Sequence, residues 1–184
     1  MKPFKAPLED IRFSLRVAGA EDISDYDSDF ARETGHQFLA FAEGAAAALA
    51  QQGDGAGCRL EDGRVKMPDG FATIYQAYCA QGWPALTVPE AYGGQGMGAL
   101  MLAVTSEIFS GANHSLQMVT GLVPGAVRVL KRFGTEDQPA RIMPEPAAGA
   151  LLPTVSPPPP GPAPRRGRHP CRGRPAGSSP GAGA

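Results

Sequence analysis

The chain has 184 residues, room for one domain and an appendage. Its 17 basic and 18 acidic residues leave a net charge of −1, yet residues 139–184 carry six Arg against one acid, so the first 138 residues are net acidic. No apolar run approaches a membrane span, the start MKPFKAPLED lacks a signal-peptide core, and three scattered cysteines speak against a disulfide framework or a four-ligand zinc site.

A cytoplasmic location is therefore expected, and an acidic folding unit is a poor nucleic-acid-binding core. Composition divides the chain into an N-terminal extension (1–25), a folding unit (26–138) and a tail (139–184). The tail holds 13 of the 19 prolines and no aromatic residue. It cannot bury enough apolar area to offset its ordering entropy, and disorder is expected throughout it.

In the extension, Leu8, Ile11 and Leu15 fit a helix, while Ile11, Phe13 and Leu15 also alternate as in a strand. A helix should begin at the acid-rich stretch around Asp25, Asp27 and Asp29, with Ser28 as N-cap. Its apolar face would be Phe30, Phe38, Phe41, Ala45 and Leu49. The alanine-rich run 44–50 should allow a close neighbour, and Gly53 should stop the helix. Residues 53–70 read as a polar loop with a turn at Glu61-Asp62-Gly63. Asp69 would cap the next helix, whose stripe is Phe71, Ile74, Tyr75 and Tyr78, ending at Gly82. Trp83–Pro89 reads as an extended apolar connection, and Gly93-Gly94-Gln95-Gly96 as a tight turn. A helix over about 98–111 follows, apolar nearly all round. Asn113 or Ser115 starts another segment, broken near Gly121–Pro124 because proline disrupts a helix interior. Thr135-Glu136-Asp137-Gln138 has the form of a capping box, but Pro139, Pro144 and Pro146 cast doubt on the helix after it. No strand pair is apparent, so the expected fold is all-α.

Chemistry is sparse. His36, His114 and His169 have no partner at metal-ligand spacing. No serine or cysteine sits in a nucleophile motif. The glycine cluster lacks the Lys-Ser/Thr end of a phosphate loop. The tail's Arg165-Arg166-Gly167-Arg168 and Arg172-Gly173-Arg174 could touch nucleic acid without sequence preference, but a solvated tail is the plainer account, and no nucleic-acid partner is expected.

The order of short motifs carries more. Gly82-Trp83-Pro84-Ala85-Leu86, then Pro89-Glu90 with Tyr92-Gly93-Gly94-Gln95-Gly96, then Glu107, Gly111-Ala112-Asn113, Gly121-Leu122 with Gly125-Ala126, and Gly134-Thr135-Glu136-Asp137-Gln138 follow in succession. This resembles the N-terminal helical domain of the FAD-dependent acyl-CoA dehydrogenases. Phe4–Phe13, Cys58–Gly63 and Pro68–Phe71 resemble a bacterial branch with an N-terminal extension, several members of which are called 3-methylmercaptopropionyl-CoA dehydrogenase.

The resemblance implies α,β-dehydrogenation of an acyl-CoA thioester, with FAD as cofactor, electron-transfer flavoprotein as partner and a homo-oligomeric assembly in the intact family. It also implies that the flavin is gripped by a middle β domain and that the glutamate base sits in a C-terminal bundle. This chain is therefore expected to contain no catalytic residue and to hold no FAD. Met118, Thr120 and Gly121 are the positions that would line the acyl pocket, and core packing is the competing account of Met118. Gly111 stands where a serine is usual and Pro139 where a basic residue is usual.

The family pattern fades between Gln138 and Gly149 and gives way to Pro/Arg/Gly/Ala text, such as a GC-rich gene yields out of frame. A frameshifted, truncated enzyme fragment is the leading expectation. A non-enzymatic helical interaction module with a basic tail is the alternative. A Thr-Glu-Pro…Gly-Ser-Asp stretch in another frame after codon 138 would favour the former.

Overall fold

A computed structural model of the protein describes residues 3–23 and 26–154. The expected disorder of the tail falls outside the described residues from position 155 onward. Within them the fold is all-α apart from one short hairpin.

The extension resolves in favour of the helix. α1 (Leu8–Val17) buries Leu8 and Ile11 one turn apart and exposes Phe13. Glu43 ties the strand of chain before it to the body, accepting from the Lys5 ammonium and from the Ala6 N–H at 3.1 Å. Gly35 makes room for α1, since a Cβ there would stand 3.0 Å from a Leu8 methyl.

α2 (Ser28–Phe41) starts where expected, but Asp27 rather than Ser28 caps it. The Asp27 carboxylate accepts from the N–H groups of Asp29 and Phe30, each at 2.9 Å. The buried face is Ala31, Thr34, Phe38 and Phe41; Phe38 and Phe41 lie on it as expected, while Phe30 is half exposed and Ala46 is buried in place of Ala45. A π-helical turn (Ala42–Ala46) follows, then α3 (Ala50–Ala56). Gly53 does not stop this run. It lies inside α3 beneath the Phe71 ring, where a Cβ would fall 2.4 Å from a ring carbon, and the stop is Gly57 at φ +60°.

β1 (Arg59–Glu61) and β2 (Arg64–Lys66) pair antiparallel with Arg59 opposite Lys66, a hairpin absent from the sequence reading. Its turn residues Asp62 and Gly63 both have positive φ, as a type I′ turn requires. All six strand residues are exposed, so no apolar alternation announces them. α4 (Phe71–Ala80) buries Phe71 and Ile74 and begins from Gly70 at φ +85°, without the expected Asp69 cap.

The connection Trp83–Val88 opens with a 3₁₀ turn (Trp83–Ala85) rather than running extended. The glycine cluster folds back onto it. Gln95, Gly96 and Met97 donate backbone bonds to Ala85, Val88 and Leu86 at 2.8–3.0 Å, and the Gln95 amide reaches Gly82 O at 2.9 Å. Gly94 permits this approach, because a Cβ there would lie 1.9 Å from Val88 O.

α5 (Ala99–Thr120) is two helices joined at Asn113, whose φ of −157° is not helical. α6 (Val123–Phe133) begins with Pro124 in its first turn, where the missing N–H costs nothing. The capping box forms by half. The Gln138 amide oxygen accepts from Thr135 N–H at 3.0 Å, while the Thr135 hydroxyl bonds Asp137 instead.

The doubt over the following prolines is overturned. α7 (Asp137–Ile142) holds Pro139 in its first turn, and α8 (Pro144–Ala147) starts on Pro144. Both positions are first-turn sites that need no donor. α8 ends in a Schellman motif: Ala150 N–H bonds Glu145 O at 2.9 Å and Gly149 N–H bonds Pro146 O at 3.0 Å, with Gly149 at φ +72°. The Tyr75 hydroxyl donates to Gly149 O at 2.7 Å. Order therefore runs beyond the expected boundary at 138.

Two apolar clusters hold the structure. One joins α1, α2, α4 and α5 around Phe38, Phe41, Phe109 and Trp83, with Phe38 edge-on to Trp83 at 4.7 Å. The other gathers Ala85, Val88, Val123, Val127, Met143 and Ala147, so α8 closes the second core.

Candidate functional site

Asn113 sets the direction of the chain that carries the expected pocket residues. Its side chain is fully buried between α5 and the π-helical turn. The amide nitrogen donates to Ala46 O at 2.9 Å, and the amide oxygen accepts from Leu116 N–H at 3.0 Å. It thus N-caps the second half of α5 and fills the gap left where the π turn ends.

That half-helix delivers Gln117, Thr120 and Gly121 to a cavity of about 90 Å³. The apolar floor is Phe38, Trp83, Leu86 and Phe109, and the polar groups are Tyr78, Thr87, Thr105, Ser106, Gln117 and Thr120. Thr120 donates to Gln117 O at 3.1 Å, and Thr105 donates to Met101 O at 3.0 Å. The Thr87 hydroxyl is buried without a protein partner, so this small cavity retains one unused hydrogen-bonding group. Burial pushes the Tyr78 phenol up to about 12, and the Thr120 hydroxyl beside it pulls the other way.

Two of the three expected pocket residues, Thr120 and Gly121, therefore meet at one cavity. Met118 does not join them. It is 61% exposed, so core packing does not account for it. It borders a separate cavity of about 310 Å³ with Cys58, Met67, Pro68, Phe71, Ser115 and Val119. No carboxylate lines either cavity. A third, of about 440 Å³, lies between Tyr26, Phe30 and the start of α5 and includes Asp27. The sequence places Tyr78 in an amphipathic stripe that reads as core rather than ligand cage, and Thr87 in a connection without motif, so neither is marked there as a pocket residue. Among the described residues no cluster of three metal-ligating side chains occurs, and no helix is long and apolar enough to cross a membrane.

Residues 32–150 match the family model of the acyl-CoA dehydrogenase N-terminal domain. The chain belongs to the acyl-CoA dehydrogenase family. The matched region begins in α2 and ends on the Schellman turn of α8. A relative from Ruegeria pomeroyi, 3-methylmercaptopropionyl-CoA dehydrogenase, is 32% identical over 144 residues. The alignment covers 74% of this chain and 24% of that protein, so the chain spans about a quarter of the relative's length. The family is FAD-dependent and acts on acyl-CoA thioesters.

Proposed function

We propose that this chain is the helical N-terminal domain of a longer FAD-dependent acyl-CoA dehydrogenase, and that alone it neither holds flavin nor turns over substrate. In this reading Thr120 and Gly121 wall the acyl end of the substrate site, with Tyr78 behind them. Met118 would meet the acyl group only from a neighbouring face. The observation that carries the proposal is the lining of the Thr120 cavity, which has hydroxyls and an amide but no carboxylate. Proton abstraction α to the thioester needs a base within hydrogen-bond reach, and no acid here offers one.

FAD does not fit the described residues. The Thr120 cavity, at about 90 Å³, is well below the ~300 Å³ of a small cofactor site. The cavity of about 440 Å³ offers Asp27 and no cationic side chain to a pyrophosphate. No step through flavin is assigned to this chain. Electron-transfer flavoprotein and oligomer contacts belong to the same proposal, as properties of the intact enzyme.

The purified chain, incubated with FAD and desalted, should show no flavin absorption band. With an artificial electron acceptor it should oxidise no acyl-CoA. A retained yellow band or turnover would overturn the proposal.

A further inference from the structure

The Thr120 cavity is both small and polar, and the two properties together select a ligand. At about 90 Å³ it has room for about three groups the size of a water, whose share of space is ~30 Å³. It cannot deepen without repacking the first core. Phe38 and Phe109, 2% and 3% exposed, close its floor with Trp83, and the Phe38 ring stands edge-on to both neighbours at 4.7 and 5.5 Å. A wall built for a plain alkyl chain would be hydrocarbon throughout. This one carries the buried Thr87 hydroxyl, which has no protein partner. Ser106 and the Gln117 amide line it as well, without a side-chain partner among the described residues. Thr105 and Thr120 have committed their protons to the carbonyls of Met101 and Gln117. The donors left over are those of Thr87, Ser106 and Gln117. No charged side chain lines the cavity, so a carboxylate or ammonium there would be buried unpaired.

We infer that this cavity receives a short acyl tail ending in a neutral hydrogen-bond acceptor, such as a carbonyl or ether oxygen, with Thr87 as the residue that selects for it. The inference rests on the reading of Thr120 and Gly121 as the acyl end of the site. An acceptor gives the Thr87 proton the partner that the fold withholds. An alkyl tail of the same size leaves that proton unpaired, and a site with a buried donor discriminates against a ligand that cannot accept from it.

The test uses the full chain and two small ligands of one shape, acetone and 2-methylpropene, in which a methylene replaces the carbonyl oxygen. Affinities are read from NMR shifts of the Thr120 and Gly121 amides. Water holds the ketone more strongly than the alkene, so the deciding quantity is the ketone-to-alkene affinity ratio compared between proteins. Thr87→Val keeps the shape and removes the hydroxyl. It should lower that ratio about five- to tenfold, the worth of about one hydrogen bond, while Thr87→Ser should keep it. The valine variant should melt no lower than wild type, because an unpartnered buried hydroxyl adds nothing to the fold. From acetone to 2-hexanone the gain per methylene should stay below the about fourfold that full burial brings. A ratio unchanged by Thr87→Val, or lowered as much by Thr87→Ser, would overturn the inference alone. So would a valine variant that melts lower, or a fourfold gain sustained to 2-hexanone. No shift of either amide with either ligand would overturn the inference together with the reading of this cavity as the acyl end.

Discussion

Asn113→Ala removes the pin between the two halves of α5. Two buried groups lose their partner: Ala46 O keeps only a 3.4 Å bond from Leu49, and Leu116 N–H loses its cap. An unsatisfied buried polar group costs about 1–3 kcal/mol, and a lost N-cap about 1 kcal/mol. Together they amount to about 2–4 kcal/mol, a large part of the 5–15 kcal/mol typical of a whole domain. With a urea m-value near 2 kcal/mol/M, the midpoint should fall by about 1–2 M. Asn113→Ser keeps the short-range cap but cannot span to Ala46, so it should recover roughly half the loss. Asn113→Asp keeps the cap while setting a carboxylate against a carbonyl, so at neutral pH it should be no better than alanine. Urea unfolding followed by circular dichroism measures all three. An alanine variant within about 0.5 kcal/mol of wild type, the scatter of neutral surface changes, would show that the kink does not depend on Asn113.

Phe71→Asp should abolish cooperative melting, since the ring is 2% exposed over Gly53 and an unpaired buried charge costs several kcal/mol; an unchanged melting temperature would place the stripe at the surface. Burial raises the Tyr75 phenol and pushes Tyr78 up to about 12. The unfolded chain releases these protons near pH 10 while the folded chain keeps them, so stability should fall between pH 10 and about 12. Tyr78→Phe should flatten that fall in urea midpoints taken across the range, and an unaltered slope would exclude Tyr78 as its source. Trypsin should cut at Arg141 slowly, because α7 and α8 close the second core; rapid cleavage there would put the domain boundary back near Gln138.

Much of the architecture is readable where burial imposes a period. The stripe of α4, the split of α5 at Asn113 and the break near Pro124 all follow from apolar spacing and proline chemistry. The hairpin at 59–66 escapes because both its faces meet water, and only its Asp-Gly turn carries a signal. Residues 139–150 mislead because proline is counted as a breaker wherever it stands, whereas Pro139 and Pro144 occupy first turns. Gly53 looks like a terminator, but its smallness serves the Phe71 ring, a partner 18 positions away. For the site, Thr120 and Gly121 come from motif order and are brought together, while Met118 shares their segment but not their cavity. Half a turn of helix separates a residue that faces a pocket from one that does not. Thr87 could not be found in sequence, because its distinction is the absence of a bonding partner.

The Tyr75–Gly149 bond and the seat of Met143 make α8 a latch. Everything the two cores require is in hand once the chain has passed Ala150, and among the described residues none beyond that point is buried. At residues 151–154, therefore, selection acting through stability has no buried side chain to read. A substitution at Gly149 would meet Cys79 at once, with a Cβ 2.3 Å from its sulfur. Rewriting residues 151–154 would leave the melting temperature of the domain where it was. A polypeptide can thus keep a sound fold while the text downstream of the latch drifts, provided no other function reads it.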